Sequence, residues 1–130
     1  MNLESPKVSI QKPNHEIFEF LAKVENFEKI MPENTEKFEI KENGFLFALK
    51  GMPEIKVKMH EQEPSNKVVL ISANDQIPFT LTGNINETGE GTSEVQFVFN
   101  GKFNFMMEMM IKGPLQKFIN TLSSNIEKIK

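Results

Sequence analysis

The residues with the most informative chemistry form a methionine-rich segment near the end of the chain, Phe105 to Ile111. Six of its seven side chains are large and apolar, and the seventh is Glu108. At about 100° per residue they cover most of the circumference of a helix. One sheet face cannot cover all of them, and flexible thioethers suit apolar ligands of variable shape. The segment therefore predicts a cavity lining, a contact with a second chain, or a core beneath the loops at Met31–Pro32 and Gly51–Pro53.

Side chains that commonly act as acids, bases or nucleophiles are few in this sequence. His15 is predicted in the first turn of a helix and His60 on a lysine-rich strand face, so we expect both to be solvated rather than catalytic. For Glu108 we expect an i, i+4 pair with Lys112, the alternative being a polar anchor inside a cavity. The chain has no Cys, Arg, Tyr or Trp, and it has no metal, P-loop or dinucleotide motif. We therefore predict no catalytic residue, no metal and no cofactor.

Length and charge narrow the classes of function. The 130 residues predict a single domain spanning 1–130. The net charge is −3 and no lysine cluster stands out, which argues against nucleic acid as a partner. The N-terminal residues do not resemble a signal peptide, and no apolar run is long enough to span a membrane. We therefore expect a cytoplasmic protein.

The hydrophobic pattern changes period along the chain. An apolar strand is predicted within Leu3 to Ile10, followed by one helix starting at Pro13 and a second over Asn26 to Met31. From Glu36 the period is two, and Asn43-Gly44 between alternating runs is a strong hairpin signal. Six short strands at hairpin spacing follow from this pattern, with apolar residues on one face and polar residues on the other. The predicted strands lie at 38–40, 45–49, 55–59, 68–73, 79–85 and 95–99. One further turn is predicted at 74–76.

The last helix is amphipathic from Leu115 onward, with one apolar stripe that must be buried. The polar row Asn104, Glu108, Lys112 lies at the angle that this stripe would occupy if the helix ran on straight. Because Pro114 donates no hydrogen bond and disfavours helical geometry before it, we expect a kink or break at Gly113-Pro114. The economical architecture is α+β, one curved antiparallel sheet of about seven strands closed by this helix.

The order of these elements resembles the helix-grip superfamily, which includes START domains, pollen-allergen-like proteins and polyketide cyclase/dehydrase-type SRPBCC proteins. The resemblance covers the whole chain and is carried by Ser9 to Leu21, by Phe27 to Pro32 and by Pro114 to Leu122. It implies a curved sheet that grips the last helix, with an elongated apolar cavity between the two. Members of the superfamily bind lipids, sterols, polyketides or hormones, some catalyse cyclisation or dehydration, and others bind protein partners.

These observations predict the binding of a small apolar, lipid- or polyketide-like molecule between the sheet and the C-terminal helix. We predict that the cavity opens near Met31–Pro32 and Gly51–Pro53, and that Glu108 is a candidate polar anchor. A protein-interaction or co-chaperone module, with a homodimer or protein partner on the methionine-rich segment, remains an alternative, as does a cyclase- or dehydratase-like enzyme. The predicted lining residues are Phe47, Met59, Leu81, Phe105, Met107, Met110 and Ile111.

Overall fold

An antiparallel sheet of eight strands wraps the long C-terminal helix. The computed structural model describes residues 1–73 and 78–129, so the turn predicted at 74–76 lies outside the described residues. The strands are β1 (Asn2–Glu4), β2 (Val8–Ile10), β3 (Thr35–Lys41), β4 (Gly44–Leu49), β5 (Ile55–Glu63), β6 (Lys67–Ser72), β7 (Phe79–Gly89) and β8 (Thr92–Gly101). The helices are α1 (Asn14–Leu21), a 3₁₀ helix (Val24–Ile30) and α2 (Phe105–Ile126).

The strand order across the sheet is β1-β8-β7-β6-β5-β4-β3, and β2 also pairs with β8. Neighbours from β3 to β8 are consecutive in the chain, as short hairpin connections require. The predicted Asn-Gly turn is present, with Asn43 at a φ of 58° and Gly44 pairing with Lys41. The predicted class, a curved antiparallel sheet with two short helices after the first strand and a long terminal helix, is confirmed.

The first predicted strand is divided into β1 and β2, which accounts for eight strands instead of seven. Between them, Ser5 is buried and accepts a hydrogen bond from the backbone N–H of Phe97 at 2.9 Å. The hydroxyl of Ser123, on α2, donates to the hydroxyl of Ser5 at 2.6 Å. This contact joins the interrupted first strand, β8 and the terminal helix through buried polar groups.

The dry face of the sheet packs against α2. Phe47, Val57, Leu81 and Phe97 are all at most 3 % exposed, as predicted, and the ring of Phe47 stacks on that of Phe118 from α2 with 5.0 Å between centroids. The predicted exposure of Lys56, Lys58 and His60 on the opposite face is also confirmed. The predicted strand register is therefore correct in the centre of the sheet.

Helix α2 runs without interruption from Phe105 to Ile126, with Pro114 inside it, so of the predicted kink or break at Gly113-Pro114 the break is wrong. Two local features explain the continuity. The residue before the proline is Gly113, which has no Cβ to clash with the proline ring. The side chain of Asn104 caps the helix by accepting a hydrogen bond from the backbone N–H of Met107 at 2.8 Å, which anchors the first turn. Asn104 is thus polar because it is the N-cap.

Candidate functional site

An apolar cavity of about 100 Å³ lies between the sheet and the first half of α2. The turn between β4 and β5 forms one side, the ends of β6, β7 and β8 form the second, and three residues of α2 form the third. The lining residues are Met52, Pro53, Glu54, Ile55, Lys56, Ser72, Phe79, Phe99, Phe103, Met107, Ile111 and Leu115. Two flexible thioethers therefore stand beside a rigid aromatic surface.

Three phenylalanines form that aromatic surface. The rings of Phe79 and Phe99 stack with 5.0 Å between their centroids, and the rings of Phe99 and Phe103 are 6.2 Å apart and nearly parallel. Phe79 is opposite Gly101 in the register between β7 and β8. A Cβ on Gly101 would lie 2.8 Å from the ring of Phe103 and 2.9 Å from the Cβ of Phe79, so a side chain there would displace the wall. Gly101 thus allows the chain to turn from β8 into α2 while the rings stay stacked.

The turn that carries Met52 and Pro53 is fastened at its other end by an ion pair. The ammonium group of Lys37 on β3 lies 2.9 Å from the carboxylate of Glu54. Hydrogen bonds to Glu54 and then to Glu39 raise the pKa of Lys37. Hydrogen bonds to Lys37 and then Lys41 lower the pKa of Glu39. All these groups are exposed, so the network positions the turn more than it stabilises the fold.

The structure separates the predicted lining residues into three groups. Met107 and Ile111 are half-buried and line the cavity. Phe47 and Leu81 are buried in the central core, and half-buried Met59 packs against the same core. Phe105 and Met110 are 75 % and 73 % exposed and point away from the cavity. Helix geometry explains the exposure of Met110, because at about 100° per residue it lies roughly 120–140° from Leu115 and Leu122. Phe105 is the first residue of α2, on the flank of the buried stripe.

Glu108 lies on the inward side of α2, where one third of its side chain is accessible. Its carboxylate is 3.7 Å from the α-amino nitrogen of Met1, which also donates a hydrogen bond to the backbone oxygen of Gly101 at 2.8 Å. The described residues place no ion pair between Glu108 and Lys112, so the partner of the carboxylate differs from the expected one. Glu108 is not among the lining residues of the cavity.

Several lining residues were not predicted from the sequence. Phe79 and Phe99 belong to alternating strand runs, and this pattern predicted buried core positions but not a cavity. No sequence pattern indicated Phe103 or Ser72. Phe103 precedes the helix, and Ser72 ends a strand that is apolar on both faces. Among the lining residues that the structure describes, Ser72 is a buried polar side chain. The expected opening at Gly51–Pro53 agrees with the position of Met52 and Pro53, whereas Met31 and Pro32 do not line the cavity.

A second concavity of about 360 Å³ lies at the other end of α2, between α1 and the C-terminal turns. Its floor includes Ile17, Phe20 and Ile126, and its rim carries Lys12, Glu16, Glu19 and Lys23. It is larger than the cavity, but about half of its lining surface is polar and its rim is charged, whereas the lining of the cavity is mostly apolar. We therefore place the candidate site in the smaller, apolar cavity.

Both histidines are exposed and lie outside the cavity. Within residues 1–73 and 78–129, no group of three or more His, Asp or Glu side chains is arranged to hold a metal ion. None of the described helices is long and apolar enough to cross a membrane.

The fold is similar to that of many solved structures. Norcoclaurine synthase from Thalictrum flavum, in complex with dopamine and hydroxybenzaldehyde, has a TM-score of 0.71 and 12 % identity, over 100 % of this chain and 88 % of that one. Protein MLL2253 from Mesorhizobium loti has a TM-score of 0.65 and 12 % identity, over 100 % and 99 %. The di-domain ARO/CYC BexL of the BE-7585A biosynthetic pathway has a TM-score of 0.65 and 12 % identity, over 98 % of this chain and 46 % of that one.

The protein has the helix-grip fold, as its element order indicates. In sequence, the chain matches no protein-family model and is not detectably similar to any curated protein. At about 12 % identity the similarity extends to the fold alone, so the function has to be argued from the residues of this chain.

Proposed function

We propose that the protein binds a small apolar molecule in the cavity between the sheet and the first half of α2. The observation that carries this proposal is the stacked wall of Phe79, Phe99 and Phe103, facing Met52 and Met107 across a partly open, apolar cavity. Aromatic faces and thioether sulfurs make favourable contacts with a planar ring. Two proteins of the same fold support it, since one is described with dopamine and hydroxybenzaldehyde and the other as a cyclase.

Binding is favoured over catalysis by the composition of the lining. A cyclisation or dehydration needs an acid or a base within hydrogen-bonding distance of the reacting atoms. Glu54 and Lys56 lie at the exposed rim, and Glu54 already pairs with Lys37. Ser72 is a buried polar residue among the described lining residues, and a neutral hydroxyl is a weak acid and a weak base. The cavity is therefore suited to holding an apolar ring.

The volume limits the ligand. A cavity of about 100 Å³ is smaller than the roughly 150 Å³ that accommodates benzene in an engineered protein, and well below the ~300–1,000 Å³ of ligand pockets. A larger ligand must displace lining atoms. Met52 and Met107 are the side chains able to move at low cost, since both are unbranched, half-buried and close to the surface. We expect the cavity to open by rotation of these two methionines when the ligand enters.

The free energy of binding also favours a ligand large enough to open the cavity. A ring that hides about 200 Å² of apolar surface gains about 5 kcal/mol. Association alone costs roughly 4 kcal/mol or more, so a single ring binds only weakly. Micromolar affinity requires about twice that apolar area, and hence a ligand of two fused rings or an acyl chain in an opened cavity. Without an arginine to hold a head group, selectivity follows shape.

The test is the uptake of the neutral fluorescent probe N-phenyl-1-naphthylamine. Ile111→Trp places a large ring in the cavity and should abolish the fluorescence increase, as should the milder Met107→Phe. The matched control is Met110→Trp, one position away but 73 % exposed, which should bind the probe like the wild-type protein. Thermal unfolding confirms that each variant is folded. If the wild-type protein takes up no probe, or if Ile111→Trp and Met107→Phe bind it as well as Met110→Trp does, the proposal is wrong.

The other partner expected from the sequence, a second copy or a protein bound through the methionine-rich segment, would have to use the exposed side of α2.

A further inference from the structure

Four large apolar side chains stand in solvent on the outward face of α2, and we call them the methionine patch. Phe105, Met106, Met109 and Met110 are 75 %, 75 %, 69 % and 73 % exposed. At about 100° per residue they occupy one continuous sector of the first two turns. The sector becomes polar beyond Gly113, where Gln116, Asn120 and Ser124 occupy the same angles. The patch is therefore compact and ends after two turns.

The free charges around the methionine patch have one sign. Lys112 lies on one flank of the sector, Lys117 lies in line with the sector about two turns after Met110, and Lys102 lies just before the helix. All three are exposed, and in the described part of the chain no carboxylate lies within 4.0 Å of their ammonium groups. The acid of the segment, Glu108, is on the inward side near Met1. An apolar centre with a cationic rim thus occurs on a protein whose net charge is −3.

Area and charge argue against a second copy of this chain as the occupant. If each side chain exposes roughly 150 Å², the methionine patch offers roughly 600 Å², the upper end for a monomer surface. A stable dimer buries about 800 Å² on each partner. A two-fold contact through so short a patch would also place lysines of both copies at the same rim, where they repel.

The cationic rim and the shallow patch fit the surface of an anionic bilayer. Helices that lie in the membrane interface have Phe, Leu or similar side chains on one face and Lys on the flanks, and their apolar face enters by about 5–10 Å. Each lysine near an anionic lipid surface adds attraction. From these observations we infer that the protein docks on anionic membranes through the methionine patch, with Lys102, Lys112 and Lys117 contacting the lipid head groups.

This inference does not depend on a ligand in the cavity. The two sites are adjacent, however, because Met107 and Ile111, which line the cavity, belong to the same two turns as the methionine patch. A docked protein would have the cavity mouth next to the apolar layer of the membrane. Ligand exchange with the bilayer is then the consequence when both proposals hold.

The experiment is the binding of the whole chain to vesicles of phosphatidylcholine, with and without phosphatidylglycerol. The chain has no Trp, so Met109→Trp provides a single reporter whose emission shifts to the blue when the residue enters lipid. Ser124→Trp, on the polar continuation of the same helix face, is the matched reporter and should show no shift. We expect binding to the phosphatidylglycerol vesicles only, and weaker binding in high salt.

Substitutions then separate the apolar contribution of the methionine patch to membrane binding from the electrostatic contribution of the lysines. The double variant Met109→Glu, Met110→Glu should weaken binding at least about tenfold, and Lys112→Gln should weaken it about fivefold. Ser124→Glu adds a charge to the same helix outside the patch and should leave binding close to wild type. All these positions are exposed, so thermal stability should change little.

Equal binding by wild type and the double variant, or no binding to anionic vesicles, would overturn the inference. So would a dimer in sedimentation velocity that Met109→Glu dissociates while vesicles remain unbound, because the patch would then be an interface between copies. The double variant should still take up N-phenyl-1-naphthylamine, so failure of membrane docking is distinguishable from failure of ligand binding.

Discussion

The ammonium group of Lys37 lies 2.9 Å from the carboxylate of Glu54, and this contact ties the edge strand β3 to the turn that closes the cavity. Met52 and Pro53 lie directly before Glu54 and line the cavity with Met107. The turn has φ of +84° at Gly51, a left-handed conformation that suits glycine, and the backbone N–H of Met52 donates to the carbonyl of Leu49 at 3.0 Å. The ion pair is therefore placed to control entry to the cavity.

Glu54→Gln removes the charge of this pair without shortening the side chain. We expect faster association and dissociation of N-phenyl-1-naphthylamine in stopped-flow measurements, with little change in Tm because both groups are exposed. Lys41→Gln is the control, since it removes another cation of the same network but does not contact the turn. Equal rates for Glu54→Gln and the wild-type protein would show that the pair does not hold the turn.

The ion-pair network of Lys37, Glu39 and Glu54 contributes to stability over a defined range of pH. The raised pKa of Lys37 means that its contribution to stability is complete below the ordinary value of 10.5 and is lost as pH rises through the raised pKa. The lowered pKa of Glu39 means that its contribution is present above the ordinary value of 4.5 and is lost as pH falls through the lowered pKa. The difference in urea midpoint between the wild-type protein and Lys37→Met should stay constant between these values and shrink outside them. A difference that changes near neutral pH would point to other groups.

The contact between Ser123 and Ser5 gives a second test of the fold. Ser123→Ala should lower the free energy of unfolding by about 1 kcal/mol, because the buried hydroxyl of Ser5 loses one of its two donors and keeps only the backbone N–H of Phe97. Ser124→Ala changes the neighbouring, exposed serine and should be close to neutral. Urea denaturation measures both. Matching values for the two variants would mean that the buried contact adds no net stability.

The core has its own matched pair. Phe97 is 1 % exposed, and Phe97→Ala should cost about 3–5 kcal/mol through the cavity that it leaves. His60 lies on the wet face of the sheet, and His60→Ala should leave the unfolding free energy nearly unchanged. The ratio of the two changes in unfolding free energy measures how differently the dry and wet faces of the sheet contribute to stability.

The sequence was sufficient for the fold because strand alternation and turn chemistry are local. Asn43-Gly44 defines a hairpin within four residues, and the faces of the central strands follow from period two. At the edge the same rule fails: Ile40 is 49 % exposed although its neighbour Phe38 is half-buried, because β3 is the edge strand of the sheet. Coverage by distant elements does not appear in a local pattern.

The site was less predictable for the same reason. The inward position of Met107 and Ile111 depends on the angle at which α2 meets the sheet, and the stacked wall depends on β7, β8 and the approach to α2 meeting at one end. The abundance of methionines was visible in the sequence, but not their division between a cavity and the methionine patch. Continuity of the helix through Pro114, which fixes that division, depends on a glycine at the preceding position.

The last prediction concerns that glycine. A Cβ on Gly113 would meet nothing within 4 Å, and its φ is not positive, so alanine fits the helix without strain. Gly113→Ala should raise the free energy of unfolding by about 0.5–1 kcal/mol, since alanine has the higher helix propensity. Gly91→Ala is the matched control: it also has open space around the Cβ, but its φ of +74° makes alanine unfavourable, and it should destabilise by about 1 kcal/mol.

Hydrogen exchange shows where the gain arises. In the wild-type protein the amides of residues 106–113 should exchange faster than those of 115–126, because Pro114 cannot donate to the carbonyl of Met110 and the outward side of these turns is unpacked. Gly113→Ala should slow exchange in the first segment and leave the second unchanged. Because the first segment also carries Met107 and Ile111, a stiffer helix should slow the entry of N-phenyl-1-naphthylamine into the cavity. Unchanged exchange in residues 106–113, or an unfolding free energy lower than that of the wild-type protein, would show that the first two turns are already held as firmly as the rest of α2.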